Sequence, residues 1–249
     1  MPEPDLRSEA EALDRVRRNR ILAALPSDEI TPMLGQLREI ELRHGRVLYE
    51  SDNPIRHVYF PLTGAASIIA EAPDGESCDV AVVGNEGFVG LPVFLGTGQV
   101  PMTAVAQVPG SALEMGVEDF RGHLDSGGKL HQLLTYYTQM RMVEMGQTVL
   151  CNRVHPVEQR TARWLLQLDE RVDEAPFELT QEFFAAMLGT HRPSVTLAAG
   201  HLRELGLIDY SRGSIEVLDR DGLEAASCAC YRVVRDELDR LLRAEPEGG

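Results

Sequence analysis

The feature that most constrains this chain is the segment 129–152, which contains no proline and a single glycine, Gly146. It predicts one continuous helix, about 36 Å long at about 1.5 Å per residue. Apolar side chains cover two of its faces, so the helix needs two surfaces to pack against. We expect a β-rich domain to supply one surface and a second copy of the chain the other. The alternative is a helix buried within a monomer. The stripe expected at the dimer contact comprises Leu130, Leu133, Tyr137 and Met140.

The chain before this helix alternates between short apolar runs and turn residues. Residues 1–18 are charged and predict a frayed or helical extension, and 19–38 predict short helices broken at prolines. From about 40 to 120, Pro73-Asp74-Gly75 is a strong turn signal between two β-rich runs. Several short strands at this spacing indicate an antiparallel sandwich or barrel. The predicted strands are Val47–Tyr49, His57–Phe60, Ala66–Ala70, Asp79–Val83 and Thr103–Val108.

The segment after the long helix carries two short helices and a hairpin. His155-Pro156 predicts a break and a new helix. Further on, Thr180 can cap a helix that Gly189 ends, because glycine tolerates the positive φ of a tight turn. The next helix is expected from about 191–193 to Leu205, with Gly206 at its C-terminal end. Residues 207–210 and 214–217 then predict two strands joined through Arg212-Gly213. This order is that of a winged helix-turn-helix.

The second of these helices has a packed face and an outward face. At 100° per residue, its inner positions are Val195, Ala198, Ala199 and Leu202. The outward face is small, partly basic and suited to a major groove. We expect Arg192 to contact a guanine, and Pro193 and Leu197 to contact thymine methyl groups. The candidate DNA-binding residues are Thr180, Gln181, His191, Arg192, Pro193, Ser194, Thr196, Leu197, His201, Arg203 and Arg212.

Charge and composition narrow the function classes. The net charge of −15 argues against non-specific nucleic-acid affinity, yet within 188–213 three arginines face only Glu204 and Asp209. DNA binding should therefore depend on specific contacts.

No run of apolar residues is long enough for a membrane span, and the N-terminus lacks an apolar signal core, so we expect a cytoplasmic protein without a membrane partner. No phosphate-binding glycine loop, nucleophile elbow or metal-spaced histidine cluster is present, so no catalytic residue is expected.

The cysteines are few and scattered: Cys78, Cys151, Cys228 and Cys230. This usage does not make a secreted disulfide framework. Cys228 and Cys230 form the only close pair, and we find no clustered His or Cys that completes a zinc set. The pair is expected in a terminal helix, where side chains two positions apart point different ways. We therefore expect reduced thiols and no metal site, with a redox or metal role as the alternative.

Taken together, these motifs resemble the cyclic-AMP receptor protein / fumarate–nitrate reduction regulator (Crp/Fnr) family. Residues 47–50 and 54–61 are similar to the opening strands of its sensor β-roll, and 180–189 with 195–208 to its helix-turn-helix. The resemblance implies an α+β fold with an N-terminal double-stranded β-roll, a long dimerisation helix and a C-terminal winged helix-turn-helix. It implies double-stranded DNA, a second copy of the chain and RNA polymerase as partners. The expected divisions are an extension (1–18), a cyclic-nucleotide-binding-like sensor domain (19–128), the dimerisation helix (129–155), the winged helix domain (156–230) and a C-terminal helix and tail (231–249).

The chain departs from the family where cyclic AMP would bind. Members that bind it use a Gly-Glu pair and an Arg-Ser pair, and by our alignment Phe88 and Val100 stand where Glu and Arg are expected. Because a cyclic phosphate needs a positive partner, and no arginine lies between 57 and 120, we expect no standard cyclic-AMP site. No cysteine precedes Cys78, so an N-terminal iron–sulfur cluster is not expected and the cofactor is unknown. The predicted pocket comprises Gly87, Phe88, Val89, Gly90, Val100, Pro101, Met102 and Thr103.

Two functional hypotheses remain. The first is a sequence-specific, dimeric transcription regulator. The second is a small-molecule or redox sensor whose winged helix mediates protein contacts.

Overall fold

A computed structural model describes residues 6–73, 77–124, 127–172, 176–179, 181–211 and 213–243. Its first half contains five helices and five strands among these residues. The helices are α1 (Leu6–Val16), α2 (Arg20–Ala23), α3 (Ser27–Met33), α4 (Leu91–Phe94) and α5 (Val117–Leu124). The strands are β1 (Arg38–Leu42), β2 (Val47–Tyr49), β3 (His57–Glu71), β4 (Ser77–Val83) and β5 (Met102–Gly116).

The five strands form one antiparallel sheet in the order β1-β5-β3-β4, with β2 also paired to β5. β3 and β5 are each 15 residues long and pair along most of their length. The prediction of separate strands at 57–60 and 66–70 is wrong, because β3 runs through both and bends at register shifts between Pro61 and Ala66. Gly64 permits this bend: its φ is 69°, and a Cβ there would lie 2.5 Å from the carbonyl oxygen of Val108. Asp74-Gly75 of the predicted turn lies outside the described residues.

The predicted long helix is present as α6 (Lys129–Val154), 26 residues long. Its first turn is held by Glu29, whose carboxylate accepts hydrogen bonds from the backbone N–H groups of Lys129 (2.6 Å) and Leu130 (3.0 Å). The stripe expected at a dimer contact is wrongly assigned: Leu130, Leu133, Tyr137 and Met140 are buried in the core of the chain's own first half and offer no surface to a second copy. The exposed large apolar side chains of α6 are Tyr136, Met142, Met145, Val149, Leu150 and Val154.

The second half is helical with one small sheet. Its helices are α7 (Val157–Val172), α8 (Gln181–Met187), α9 (Arg192–Glu204), α10 (Arg220–Ala226) and α11 (Cys230–Arg243). The strands β6 (Phe177–Glu178), β7 (Ile208–Ser211) and β8 (Ser214–Val217) pair in the order β6-β8-β7. The wing thus gains β6, which the sequence analysis did not predict. Trp164 packs against Phe184, with ring centroids 4.9 Å apart, in the core that supports α9.

A buried group of four charges joins the two halves, and we call it the ionic cluster: Glu86, Arg141, Glu144 and Arg171. Arg141 lies 3.1 Å from Glu86 and also pairs with Glu144, while Arg171 lies 3.3 Å from Glu86 and 2.6 Å from Glu144. Burial by itself raises the pKa of Glu144, but the guanidinium groups of Arg171 and Arg141 outweigh it and lower this pKa to about 2. The cluster therefore holds two positive and two negative charges and ties the segment before α4 to α6 and α7.

Candidate DNA-binding surface and sensor pocket

The outer helix of the helix-turn-helix, α9, is oriented as its sequence pattern predicts. It begins at Arg192, with Pro193 in the first turn, where the missing N–H costs no helical hydrogen bond. The turn before it contains Gly189 at φ 53°, a left-handed conformation that suits glycine. The inner face is buried in the core of the second half and consists of Val195, Ala198, Ala199 and Leu202. The opposite face is therefore held outward by packing.

Most of the predicted contact residues lie on that outward face. Leu197 is 76% exposed, which leaves a large apolar side chain free to meet an apolar group of a partner. Ser194 is only half-buried, and the remaining predicted residues of α9 are exposed: Arg192, Pro193, Thr196, His201 and Arg203, preceded by exposed His191. Gln181 is the first residue of α8. Thr180 and Arg212 lie outside the described residues.

A hollow of about 480 Å³ lies between α9 and the wing. Arg192 and Arg203 contribute to its walls on the helix side, and Tyr210 of β7 on the wing side. The Nε atom of Arg203 lies 3.6 Å from Asp209, a loose and exposed ion pair that leaves most guanidinium N–H groups available to an anion. Two arginines around one open hollow suit a phosphate-rich partner.

His201 connects α9 to the helix behind it. Its Nδ1 lies 2.8 Å from a carboxylate oxygen of Glu158 on α7. The hydrogen bond and the charge of Glu158 raise the pKa of His201, so the imidazole keeps its positive charge to a higher pH than an ordinary histidine. This ion pair links the C-terminal part of α9 to α7.

A second cavity, of about 150 Å³, lies between the β-roll and α6. Five of the eight predicted pocket residues line it: Phe88, Val89, Gly90, Val100 and Met102. Three do not. Gly87 packs against Tyr137, the Thr103 hydroxyl accepts a hydrogen bond from the backbone N–H of Ser51 (3.2 Å), and Pro101 is exposed. The helix contributes Tyr137, Arg141 and Met145, which the sequence analysis did not include in the pocket.

Arg141 is the only charged side chain among the described residues that line this cavity. Its Nε donates to the hydroxyl of Tyr137 (2.8 Å), and its Nη2 donates to the carbonyl oxygen of Val82 (2.9 Å) and to Glu86 (3.1 Å). With Glu144 also paired, little of the guanidinium remains for a ligand. Phe88 stacks between Phe60 and Phe120, at centroid distances of 5.1 Å each, and so belongs to the core.

Two family models match the chain in succession. The model of the cyclic nucleotide-binding domain matches residues 39–126, and the model of the Crp-like helix-turn-helix domain matches residues 159–226. The chain belongs to the Crp/Fnr family.

Several solved structures share this fold. FixK2 from Bradyrhizobium japonicum is 18% identical with a TM-score of 0.60, over 78% of this chain and 98% of that one. The c-di-GMP-responsive global regulator CLP from Xanthomonas campestris is 14% identical with a TM-score of 0.61, over 77% and 99%. A CRP-family transcriptional regulator from Thermus thermophilus is 19% identical with a TM-score of 0.61, over 76% and 96%. At these identities the likeness is one of fold. A search of curated proteins gave no match.

The chain therefore has the fold of a Crp/Fnr transcription regulator, with a cyclic-nucleotide-binding domain and a helix-turn-helix DNA-binding domain. Among the residues that the structure describes, no helix is long and apolar enough to cross a bilayer.

The cysteines are arranged differently from the sequence-based expectation, and this is a correction. Cys151, His155, Cys228 and Cys230 come together, with one potential ligand atom from each side chain, all within 4.8 Å of one another. The statement that no His or Cys completes a set with the Cys228/Cys230 pair is thus wrong. Cys228 also lies before α11 rather than inside a helix, because the chain is extended between α10 and α11. A usable signal was the spacing of four positions between Cys151 and His155, which brings a thiol and an imidazole together at the C-terminal end of α6.

Proposed function

We propose that this protein is a sequence-specific transcription regulator that binds double-stranded DNA as a homodimer in the cytoplasm and acts on RNA polymerase. The observation that carries the proposal is the outward face of α9, where exposed Arg192, Thr196 and Leu197 stand on a helix whose other face is anchored in the core. This locally basic face in a chain of net charge −15 favours specific contacts over general attraction to phosphate.

Arg192 is the residue we assign to base reading, because recognition helices present their N-terminal ends to base edges. A bidentate contact from arginine to guanine accounts for about 1–3 kcal/mol of discrimination. Arg203, further along the helix and beside the wing, suits a phosphate contact, and the remaining outward residues suit base edges or methyl groups. Thr180 and Arg212 lie outside the described residues. They remain candidate DNA-binding residues on the basis of the sequence motif.

The test is binding measured over a library of single-base operator variants. Arg192→Ala should weaken binding by about 1–3 kcal/mol and relax the preference at one position in each half-site. Arg203→Ala should weaken binding to all sequences alike and reduce its salt dependence. Arg232→Ala is the matched control, because Arg232 is an exposed arginine on α11 that pairs with Glu224. An unchanged preference profile for Arg192→Ala would reject its base-reading role.

The proposed dimer contact is the exposed apolar stripe of α6 that includes Met142, Met145 and Val149. Val149 is 72% exposed and Met142 66%, and an apolar stripe of this kind on a long helix is typical of a helix–helix interface. Met142→Glu with Val149→Glu should give monomers that bind DNA weakly, because each half-site supplies only part of the affinity. Gln132→Glu, at an exposed polar position of the same helix, should leave the dimer intact. A double variant that still sediments as a dimer would refute this contact.

For the sensor we propose that no standard cyclic-AMP site is present and that any effector is small and apolar. The cavity of about 150 Å³ is below the about 300–1,000 Å³ of ordinary ligand pockets. Both Gly87 and Gly90 could represent the glycine of a Gly-Glu pair, but each is followed by an apolar residue, Phe88 or Leu91. Calorimetry tests this: tight binding of cyclic AMP together with a gain in DNA affinity would overturn the proposal.

A gel-shift experiment with the protein's own promoter fragment and excess competitor DNA separates the two functional classes. Retention of a specific complex supports the regulator. Failure to form one, with a folded dimer, would favour a sensor whose winged helix contacts another protein.

A further inference from the structure

We propose that Cys151, His155, Cys228 and Cys230 form a structural site for a single Zn²⁺ ion that fastens the start of α11 to the end of α6. We call these four residues the thiol cluster. Cys151 and His155 lie one turn apart where α6 ends, and Cys228 and Cys230 lie where α11 begins. The proposal does not depend on DNA binding.

The spacing of the ligand atoms fits one tetrahedral ion. With Zn–S about 2.3 Å and Zn–N about 2.0–2.1 Å, tetrahedral geometry places two sulfurs about 3.8 Å apart and a sulfur and a nitrogen about 3.6 Å apart. Here the sulfurs of Cys151 and Cys228 are 3.4 Å apart, and the sulfur of Cys230 is 3.7 Å from Nδ1 of His155. An iron–sulfur cluster distributes its ligands over several iron atoms and needs a wider frame.

The donor set selects the metal and its role. Thiolates and an imidazole favour Zn²⁺ over the oxygen-seeking Mg²⁺ and Ca²⁺. Four protein ligands fill a tetrahedral ion and leave no open position for a substrate, as in structural rather than catalytic zinc sites. The three cysteines are buried and His155 is half-buried, so the site is closed to bulk water on most sides.

Two neighbouring arginines give independent support. Arg160 and Arg163 on α7 are buried, yet Nε and Nη2 of Arg160 and Nε of Arg163 have no hydrogen-bond partner among the residues that the structure describes. Both arginines lie close enough to interact electrostatically with Cys151. Buried cations without a counter-charge are costly. Three thiolates around Zn²⁺ carry a net charge of −1, which offsets one of the two arginine charges, whereas three neutral thiols offset neither.

Metal analysis of the reduced full-length chain tests the site. After incubation with ZnCl₂ and removal of excess metal, we expect one zinc per chain, and Co²⁺ in its place should show the visible absorption of a tetrahedral thiolate complex. Cys228→Ser should lower zinc affinity at least 100-fold, while Cys78→Ser, at the exposed cysteine outside the cluster, should leave it unchanged. Cys230→His keeps four ligands and should retain zinc, which separates ligand loss from misfolding.

Three results would overturn the proposal. The first is a reduced, folded wild-type chain that takes up no zinc. The second is equal zinc binding by wild type and Cys228→Ser. The third is a chain that carries iron with acid-labile sulfide, or a Cys151–Cys228 disulfide seen by mass spectrometry, in place of zinc.

Discussion

Helices α6 and α7 contribute side chains to two buried polar regions of the molecule, and the two regions differ in charge balance. The ionic cluster pairs two arginines with two glutamates. The region around the thiol cluster places Arg160 and Arg163 beside groups that carry no charge as thiols. Within the part of the chain that the structure describes, some N–H groups of these arginines have no acceptor. The same two helices thus hold one complete set of charges and one incomplete set.

The difference in charge balance between the two clusters shows how a site that needs a metal ion can be recognised. A buried charge persists only where partners compensate the loss of hydration. The ionic cluster meets this condition with its own side chains, so it needs nothing from outside the chain. At the thiol cluster, partners that compensate the buried charges arise only if the thiols become thiolates. Binding of a metal ion causes this deprotonation.

The largest effect should come from unbalancing the ionic cluster. Arg171→Met leaves Glu86 and Glu144 with Arg141 alone, and breaking a buried pair in this way costs about 3–5 kcal/mol of stability. Urea denaturation followed by circular dichroism measures it. Arg38→Met removes an exposed arginine that pairs with Glu114, and it should cost less than about 1 kcal/mol. Equal costs for the two variants would mean that burial of the ionic cluster has no energetic consequence.

Acid should remove the stabilising contribution of Glu144 to the ionic cluster over a defined pH range. The pKa of Glu144 is lowered from 4.5 to about 2, so its contribution is present above about pH 4.5 and is lost as the pH falls through about 2. A shift of this size corresponds to about 3 kcal/mol. Other carboxylates titrate in the same range, so the informative quantity is the stability difference between wild type and Glu144→Gln. We expect that difference to shrink toward low pH, and a constant difference would contradict the assignment.

The smallest effect is expected for Arg160→Met, and it should differ between the metal-free and the zinc-loaded protein. Arg160→Met removes a buried guanidinium of which two nitrogens lack an acceptor in the described part of the chain, so the metal-free chain should lose little stability. The zinc-loaded chain should bind its metal about 10–100-fold more weakly, as expected for a residue that supports metal ligands. Competition with a chromophoric chelator gives the affinity. If Arg160→Met destabilises the metal-free chain as much as it weakens zinc binding, the arginine is a packing residue and the contrast between the two clusters fails.

Part of the fold and of the candidate site could be predicted from the sequence, because that part depends on local sequence patterns. The start of α6, the packed face of α9 and the strands of the wing follow from periodicity and glycine positions. The dimer stripe could not be predicted in this way, because α6 is apolar on two faces and hydropathy does not indicate which face meets the β-roll. Leu133 is buried where Val149 is exposed, although both are apolar.

Other features depend on contacts between distant segments. Arg141 reaches the sensor pocket from α6, which lies outside the segment 57–120 that contains no arginine. The thiol cluster joins Cys151 to Cys228 across 77 positions and His155 to Cys230 across 75. No spacing rule covers such separations. The β-rich runs at 57–60 and 66–70 predict two strands, whereas the long pairing with β5 makes them one.

Helix α11 follows the winged helix in the chain but packs against α6, and its Leu238 is part of the sensor core. A hydrogen bond between Gln139 and Glu237 (3.0 Å) marks the same contact. The DNA-binding domain is therefore an insertion between two parts of one unit. During synthesis, Leu238 becomes available to the sensor core only after the winged helix has been made. A chimera that exchanges DNA-binding domains must therefore have two junctions, one before α7 and one before α11, or the last helix will come from the wrong parent.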